Sequence, residues 1–339
     1  MSLPKLSFAV ELAAAPLAEL FADPAVIETL VKLDAGVALG TLDLGPERAE
    51  VVRRLNEAGI PVVAWLLLPE DQGYWFNSGN AREATEFYRQ FKRWTADNGL
   101  TWAGVGVDIE FDQREIKAIT SGQGRSLLPK VLLRAFDAER VRRSEQAYAA
   151  LVTQIRSDGY PVESYEIPFM ADERKAGSTL LRRVLGLVDI PVDRDVFMLY
   201  SSFLGKTGDA LLWSYGPEAA VIGVGSTGGG VEMGAGMPVL TWDALARDLR
   251  LARQLGKDIF VFSLEGCVRQ GFLPRLAELD WNAPASPPPD EDIAQVSAIR
   301  RALQTVLWAA AHPLAVLLAL AALAGLFRGL VGCGDQKRR

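Results

Sequence analysis

Two carboxylates, Asp108 and Glu110, close the run Trp102-Ala-Gly-Val-Gly-Val-Asp-Ile-Glu-Phe-Asp112. Period-two alternation puts Val105, Val107, Ile109 and Phe111 on one face and Gly104, Gly106, Asp108 and Glu110 on the other. That is the pattern of a strand with its apolar face against helices and its acids at the carboxyl end. Acids two residues apart on a strand face are separated by about 7 Å along the backbone, close enough for one to orient or retain the other's proton. A carboxyl of raised pKa beside an ionised neighbour is the pairing that cleaves glycosidic bonds. Glu110, nearer the strand end, is the candidate general acid, and Asp108 the residue that tunes it. The same pair would also suit ion pairs closing a barrel, with Arg114 or Arg174 as partners.

Other strands add to this set. Ser7-Phe-Ala-Val-Glu11 opposes Phe8 and Val10 to Ala9 and Glu11, and Ile259-Phe-Val-Phe-Ser-Leu-Glu265 opposes Phe260, Phe262 and Leu264 to Ser263 and Glu265. On this parity Glu11 and Glu265 complete a ring of inward acids. Glu265 would act as nucleophile, base or hydroxyl acceptor, and Glu11 would bind substrate. Glu166, sharing the parity of Ser164 in Ser164-Tyr-Glu-Ile-Pro168, extends the ring as a further binding residue. Tyr200 in Phe197-Met-Leu-Tyr-Ser-Ser202 points inward with Met198, as a donor to developing negative charge. Trp65, and Trp75 with Asn77 in the loop beyond it, supply aromatic faces and an amide of the kind that bind sugar rings and hydroxyls.

The elements that must position these residues read as a parallel α/β repeat. Eight strand-like segments cover residues 7–13, 36–43, 61–68, 103–111, 162–169, 196–201, 220–225 and 258–264. Helical stretches between them, such as 46–58, 81–98, 138–157 and 242–255, end at Gly59, Gly99, Gly159 and Gly256, which suit helix C-caps. Eight such units over roughly 280 residues match a (β/α)8 TIM barrel. No dinucleotide fingerprint follows the first strand, where Glu11-Leu-Ala-Ala-Ala-Pro16 stands. The long connections 112–138 and 171–194 would lie on the catalytic rim.

Composition narrows the chemistry. With net charge −6 the chain offers no nucleic-acid surface. Its two cysteines, Cys267 and Cys333, make neither a disulfide framework nor a thiolate metal site, and no carboxylate spacing points to a metal or other cofactor. The single histidine, His312, sits in the apolar tail, so the body must work without imidazole. Ser-His-Asp hydrolysis and His-ligated zinc are thereby excluded. The glycine-rich run from Gly223 to Gly230 lies where barrels often bind phosphate, but has no Walker-type lysine beside it.

The expected domains are a barrel over 1–280, a Pro-rich acidic linker and juxtamembrane segment over 281–302, a single transmembrane helix over 303–331 and a short basic tail over 332–339. The linker Asn282-Ala-Pro-Ala-Ser-Pro-Pro-Pro-Asp-Glu-Asp292 reads as stiff and extended. Residues 306–327 are almost wholly apolar and, at about 1.5 Å per residue, long enough for a hydrocarbon core of about 30 Å. A membrane anchor with the barrel in the cytoplasm is the simplest expectation, although Arg328, Lys337, Arg338 and Arg339 beyond the span outnumber Arg300 and Arg301 before it, so orientation stays open.

Gly104-Val-Gly-Val-Asp-Ile-Glu110 resembles the fourth-strand motif of family 18 glycoside hydrolases, the chitinase-like barrels, which ends in Asp-x-Asp-x-Glu with glutamate as the acid. Met198-Leu-Tyr200 is similar to the sixth-strand Met-x-Tyr of that family, and Phe262-Ser-Leu-Glu265 to its eighth-strand segment. Gly106 stands where the first Asp of the triplet is usual, Ser201 where an Asp follows the tyrosine, and Phe262 where a tryptophan is usual. The resemblance implies a glycoside hydrolase-like barrel acting on a carbohydrate or glycoconjugate. Two other readings stand beside it. One is an inactive barrel that binds a glycan or protein at the membrane; the other is a lyase or isomerase of a phosphorylated metabolite.

Overall fold

The computed structural model describes residues 3, 5–122, 124–230 and 238–335. Eight parallel strands form it: β1 (Leu6–Val10), β2 (Gly36–Gly40), β3 (Val62–Leu66), β4 (Gly104–Asp108), β5 (Val162–Glu166), β6 (Arg194–Met198), β7 (Val221–Gly225) and β8 (Asp258–Phe262). Each pairs with the next and β8 pairs with β1, which closes the barrel. All eight expected strands are present. The helices Pro46–Glu57, Ala81–Asn98, Ala138–Ser157 and Trp242–Gln254 fall where they were expected, and Gly59, Gly99, Gly159 and Gly256 beyond them take positive φ, the left-handed geometry that ends a helix without a Cβ clash.

Alternation sorts the side chains into two cores. Phe8, Val10, Val37, Leu39, Val105 and Val107 face outward and are buried against the helices. Ala9, Ala38, Val63, Trp65, Tyr165, Val196, Phe260 and Phe262 fill the interior. Aromatics fit inside because some strands contribute no side chain at the same level. A Cβ on Gly106 would lie 2.5 Å from the Tyr165 hydroxyl, so Tyr165 occupies the space that an acid on β4 would need. Below it, the Tyr165 hydroxyl donates to Glu163 at 2.7 Å, and Arg194 ties Glu163 to Asp258 at 2.7 and 3.2 Å. This polar floor links β5, β6 and β8 from within.

The C-terminal part departs from expectation. Helix Asp290–Ala311 begins inside the segment read as linker and packs on helices Phe169–Ala176 and Gly208–Tyr215. Arg300 holds it there: its guanidinium lies 3.6 Å from the Tyr215 ring centroid, bonds Asp172 at 2.8 Å and Glu218 at 3.0 Å, and donates to the Ser214 carbonyl at 2.6 Å. The expected single transmembrane helix over 303–331 is broken. Proline has no N–H and restricts the residue before it, and the helix stops at His312-Pro313, where His312 leaves helical geometry. Helix Pro313–Asp335 follows. Among the described residues no single helix is long and apolar enough to cross a membrane; Asp290–Ala311 and Pro313–Ala324 qualify only together, bent by 99°. Of the expected basic tail over 332–339, residues 336–339 lie outside the described residues.

Asp172 is fully buried; burial pushes its pKa up, but hydrogen bonds from Arg300, Tyr215 and Gln304 outweigh this and hold it below the ordinary carboxylate range. Its stabilising effect is therefore complete above that range and lost as pH falls through the lowered value. Arg300→Met leaves Asp172 without its counter-charge and is expected to destabilise the chain by about 3 kcal/mol at neutral pH. Denaturant unfolding checks this, and the loss should shrink in strong acid.

Candidate functional site

The acids gather at the carboxyl end of the barrel. Asp108 is the last residue of β4, and the chain beyond it is steered by Phe76, whose N–H donates to the Asp108 carbonyl at 2.9 Å and whose carbonyl accepts from the Glu110 N–H at 3.2 Å. This bridge from the loop after β3 holds Glu110 at the mouth, half-buried, one layer above Asp108. Asp108 lies deeper. Its Oδ2 accepts from the Trp65 indole at 3.1 Å, and its Oδ1 has no partner. Trp65 therefore serves as a donor inside the barrel, wedged edge-on between Tyr165 and Phe262, rather than as an open sugar platform.

Glu11 follows β1, and its Oε1 accepts from the Tyr74 hydroxyl at 2.6 Å. Its backbone N–H donates to Glu265 Oε1 at 3.4 Å, and Gly230 N–H donates to the same oxygen at 3.2 Å; Glu265 Oε2 is buried without a partner. Glu265 does not arrive by strand parity. Phe260 and Phe262 take the inward positions of β8, and the chain then turns at Ser263, which caps helix Leu264–Arg269 and places Glu265 in its first turn over the mouth. Tyr200 enters from the end of β6, stacked on Phe262 with centroids 5.6 Å apart.

The electrostatics follow from burial without counter-charge. No lysine or arginine among the described residues pairs with Asp108, Glu110 or Glu265. Arg114 is held by Asp112 and Arg174 by Glu166, so neither closes an ion pair with the β4 acids. Burial raises the Asp108 pKa well above the carboxylate range, and the charges of Glu110 and Glu11 push it the same way. Burial brings Glu110 up to about 7. Burial also raises Glu265, against the hydrogen bonds it accepts. The Tyr200 hydroxyl is pushed far up by burial and by Asp108, Glu110 and Glu11, so it remains a donor.

Three expected members are elsewhere. Glu166 has the outward parity: Glu163 and Tyr165 face the interior from β5, while Glu166 lies behind the wall, bonded to Arg174 at 2.7 Å and to Ser164. Burial lifts it to about 7 in that ion cluster, away from the mouth. Asn77 builds its own turn, its Oδ1 accepting from Gly79 N–H and its Nδ2 donating to the Trp75 carbonyl, so no free amide remains to read hydroxyls. Trp75 is buried edge-on against Tyr74. Tyr74, which the sequence marks only as one of the aromatic cluster Tyr74-Trp-Phe76 suited to a sugar ring, acts through its hydroxyl: it comes from an irregular loop with a left-handed backbone, φ 66°, and no period announces that hydroxyl beside Glu11.

The glycine-rich run sits on the acids. A Cβ on Gly230 would come within 2.5 Å of Glu11 Oε2, and one on Gly229 within 2.6 Å of Glu265. Gly228 N–H donates to Ser226 and Gly230 N–H to Glu265, so these amides are spent on the protein, and the adjoining carboxylates repel a phosphate. The phosphorylated-metabolite reading loses its support.

No protein-family model matches the chain, and no curated protein matches it in sequence. Among solved structures it is similar to the glycoside hydrolase domain of PgaB (BpsB) from Bordetella bronchiseptica, at 11% identity and a TM-score of 0.47, over 81% of this chain and 98% of that one.

An acid whose pKa rises on folding, as for Glu110 from 4.5 to about 7, makes the folded state bind more protons than the unfolded state across that window. Stability falls as pH rises through it. Glu110→Gln removes this cost, so its melting temperature should exceed that of the parent at about pH 8 and approach it at about pH 4. Thermal unfolding at the two pH values checks the difference.

Proposed function

We propose that the barrel is a glycoside hydrolase-like enzyme that cleaves a glycosidic bond in a carbohydrate or glycoconjugate by carboxylate acid/base chemistry. The observation that carries this reading is Glu110: a carboxyl at the mouth, lifted to about 7 by burial, above a second carboxyl that is held up with it. A group poised near neutral pH is protonated often enough to donate to a leaving oxygen and basic enough to recover the proton. In this scheme Glu110 protonates the glycosidic oxygen. Asp108, fixed by Trp65, orients it. Glu265 serves as nucleophile, base or hydroxyl acceptor, Glu11 with Tyr74 on it binds substrate, and Tyr200 donates to a substrate oxygen.

Membrane attachment belongs to the same proposal, through the bent apolar pair that begins with helix Asp290–Ala311 rather than through one straight span. The apolar composition of residues 306–327 supports it.

Screening aryl glycosides and oligosaccharides for turnover tests the enzyme. Glu110→Gln is nearly isosteric and should leave the fold intact while lowering turnover by roughly 100-fold or more. Asp108→Asn should impair turnover by disturbing the orientation of Glu110 while leaving the alkaline limb of the pH-rate profile near that of the parent, because burial and not a charge on Asp108 sets the Glu110 value. Undiminished turnover in Glu110→Gln would remove the acid assignment. Binding of glycans by the parent without turnover of any of them would favour the inactive binding barrel.

A further inference from the structure

The largest exposed apolar side chains of the barrel body are concentrated at one place. The excursion between β4 and helix Ala138–Ser157 leaves Ile119, Leu128, Leu132, Leu133 and Phe136 in solvent, Leu133 75% and Phe136 86% exposed. This excursion starts directly after Asp108, so it belongs to the rim that carries the acids. It is locked there: Gln113 N–H donates to the Gly73 carbonyl, Arg114 to the Asp71 carbonyl, and Arg134 and Lys130 bond Glu115. Helix Leu128–Ala135 thus presents leucines outward by construction and not by fraying. Exposed Lys117, Arg125 and Lys130 border the apolar residues, the composition of a helix that lies at the boundary between lipid headgroups and acyl chains.

A second apolar element reaches the same rim. Along helix Asp290–Ala311, Arg300 bonds Ser214 and Glu218 just before β7 and also Asp172, near the start of the helix that follows β5, and Gln304 one turn later bonds Asp172 as well. The helix also touches residues 201–207, which directly follow β6 on the mouth side of the barrel. Beyond Ala311 the chain bends by 99° into the segment that exposes Leu314, Leu317, Leu318, Leu320 and Leu323. Helix Leu180–Leu185 touches both helix Leu128–Ala135 and helix Asp290–Ala311, so the two apolar elements meet at one helix.

We propose that the acid-bearing mouth faces a lipid bilayer, with helix Leu128–Ala135 seated at the headgroup–acyl boundary and the tail from Pro313 in the same membrane. Exposed leucines on two elements that meet at one helix, bordered by cations, are the chemistry that such a surface takes. Joined to the carbohydrate reading, on which this part rests, the orientation makes the substrate a glycan presented from the membrane surface.

The test uses the full chain in vesicles of equal parts phosphatidylcholine and phosphatidylglycerol, with a nitrobenzoxadiazole probe. In a Cys333→Ser background, Leu133→Cys carries the probe on the rim and Glu57→Cys, an exposed position at the opposite end of the barrel, serves as control; Cys267 is buried. Acyl-chain-brominated lipid should quench the probe at position 133 at least about tenfold more strongly than the one at position 57, and aqueous iodide should do the reverse. Equal quenching by brominated lipid at both positions would overturn the proposal. So would a probe at position 133 shielded from iodide in the absence of lipid in proportion to protein concentration, which is the behaviour of a face covered by a second copy. The readout needs no turnover, so its failure and that of the carbohydrate reading are separate results.

Discussion

Carboxylates drawn together without a counter-cation among the described residues are the constraint around which the barrel is arranged. Asp108, Glu110 and Glu265 meet at the mouth, and what surrounds them is aromatic side chains, backbone N–H groups and one another. In such surroundings the ionised form is penalised, and the group holds its proton to higher pH instead. Neutral donors soften the penalty at selected oxygens: the Trp65 indole at Asp108, the Tyr74 hydroxyl at Glu11, and the Glu11 and Gly230 amides at Glu265. Each of these donors requires its own support, which is why the loop after β3 and the glycines after β7 are folded tightly onto the mouth.

Cations are present in quantity but are used elsewhere. Arg174 serves Glu166 behind β5, Arg194 ties Glu163 to Asp258 on the floor, and Arg300 fixes the C-terminal helix through Asp172. The floor and the outer wall are thus neutralised ion networks, and the mouth is the part left acidic. Two polar layers treated differently, ion-paired below and approached by neutral donors at Asp108, Glu11 and Glu265 above, concentrate the stability cost at the end where chemistry would occur.

Much of this was legible in the sequence, for reasons that differ by strand. In β4 the two faces have unlike composition, branched aliphatics against glycine and acid, so parity alone fixes Asp108 and Glu110. In β5 the run Val162-Glu-Ser-Tyr-Glu166 is buried on both faces and carries an acid on each parity, so composition could not decide which glutamate faces inward. The answer came from Gly106, whose missing side chain admits Tyr165. In β8 two phenylalanines face inward, against the usual sorting of apolar residues to the helix side, and Glu265 reaches the mouth only because the strand gives way to a helix. Tyr74 and Asn77 sit in an irregular loop, where no period exists to read. The apolar tail was legible as composition, but its bend depends on one proline and the docking of its first half on one arginine.

The central claim is that Glu110 is a protonated carboxyl near neutral pH. It is tested most directly by carbon-13 NMR titration of the glutamate side-chain carboxyls, with Glu110→Gln assigning the resonance. The account predicts an apparent midpoint near 7 for Glu110, retained in Asp108→Asn because burial sets it. A midpoint in the ordinary glutamate range, near about 4.3, would contradict it.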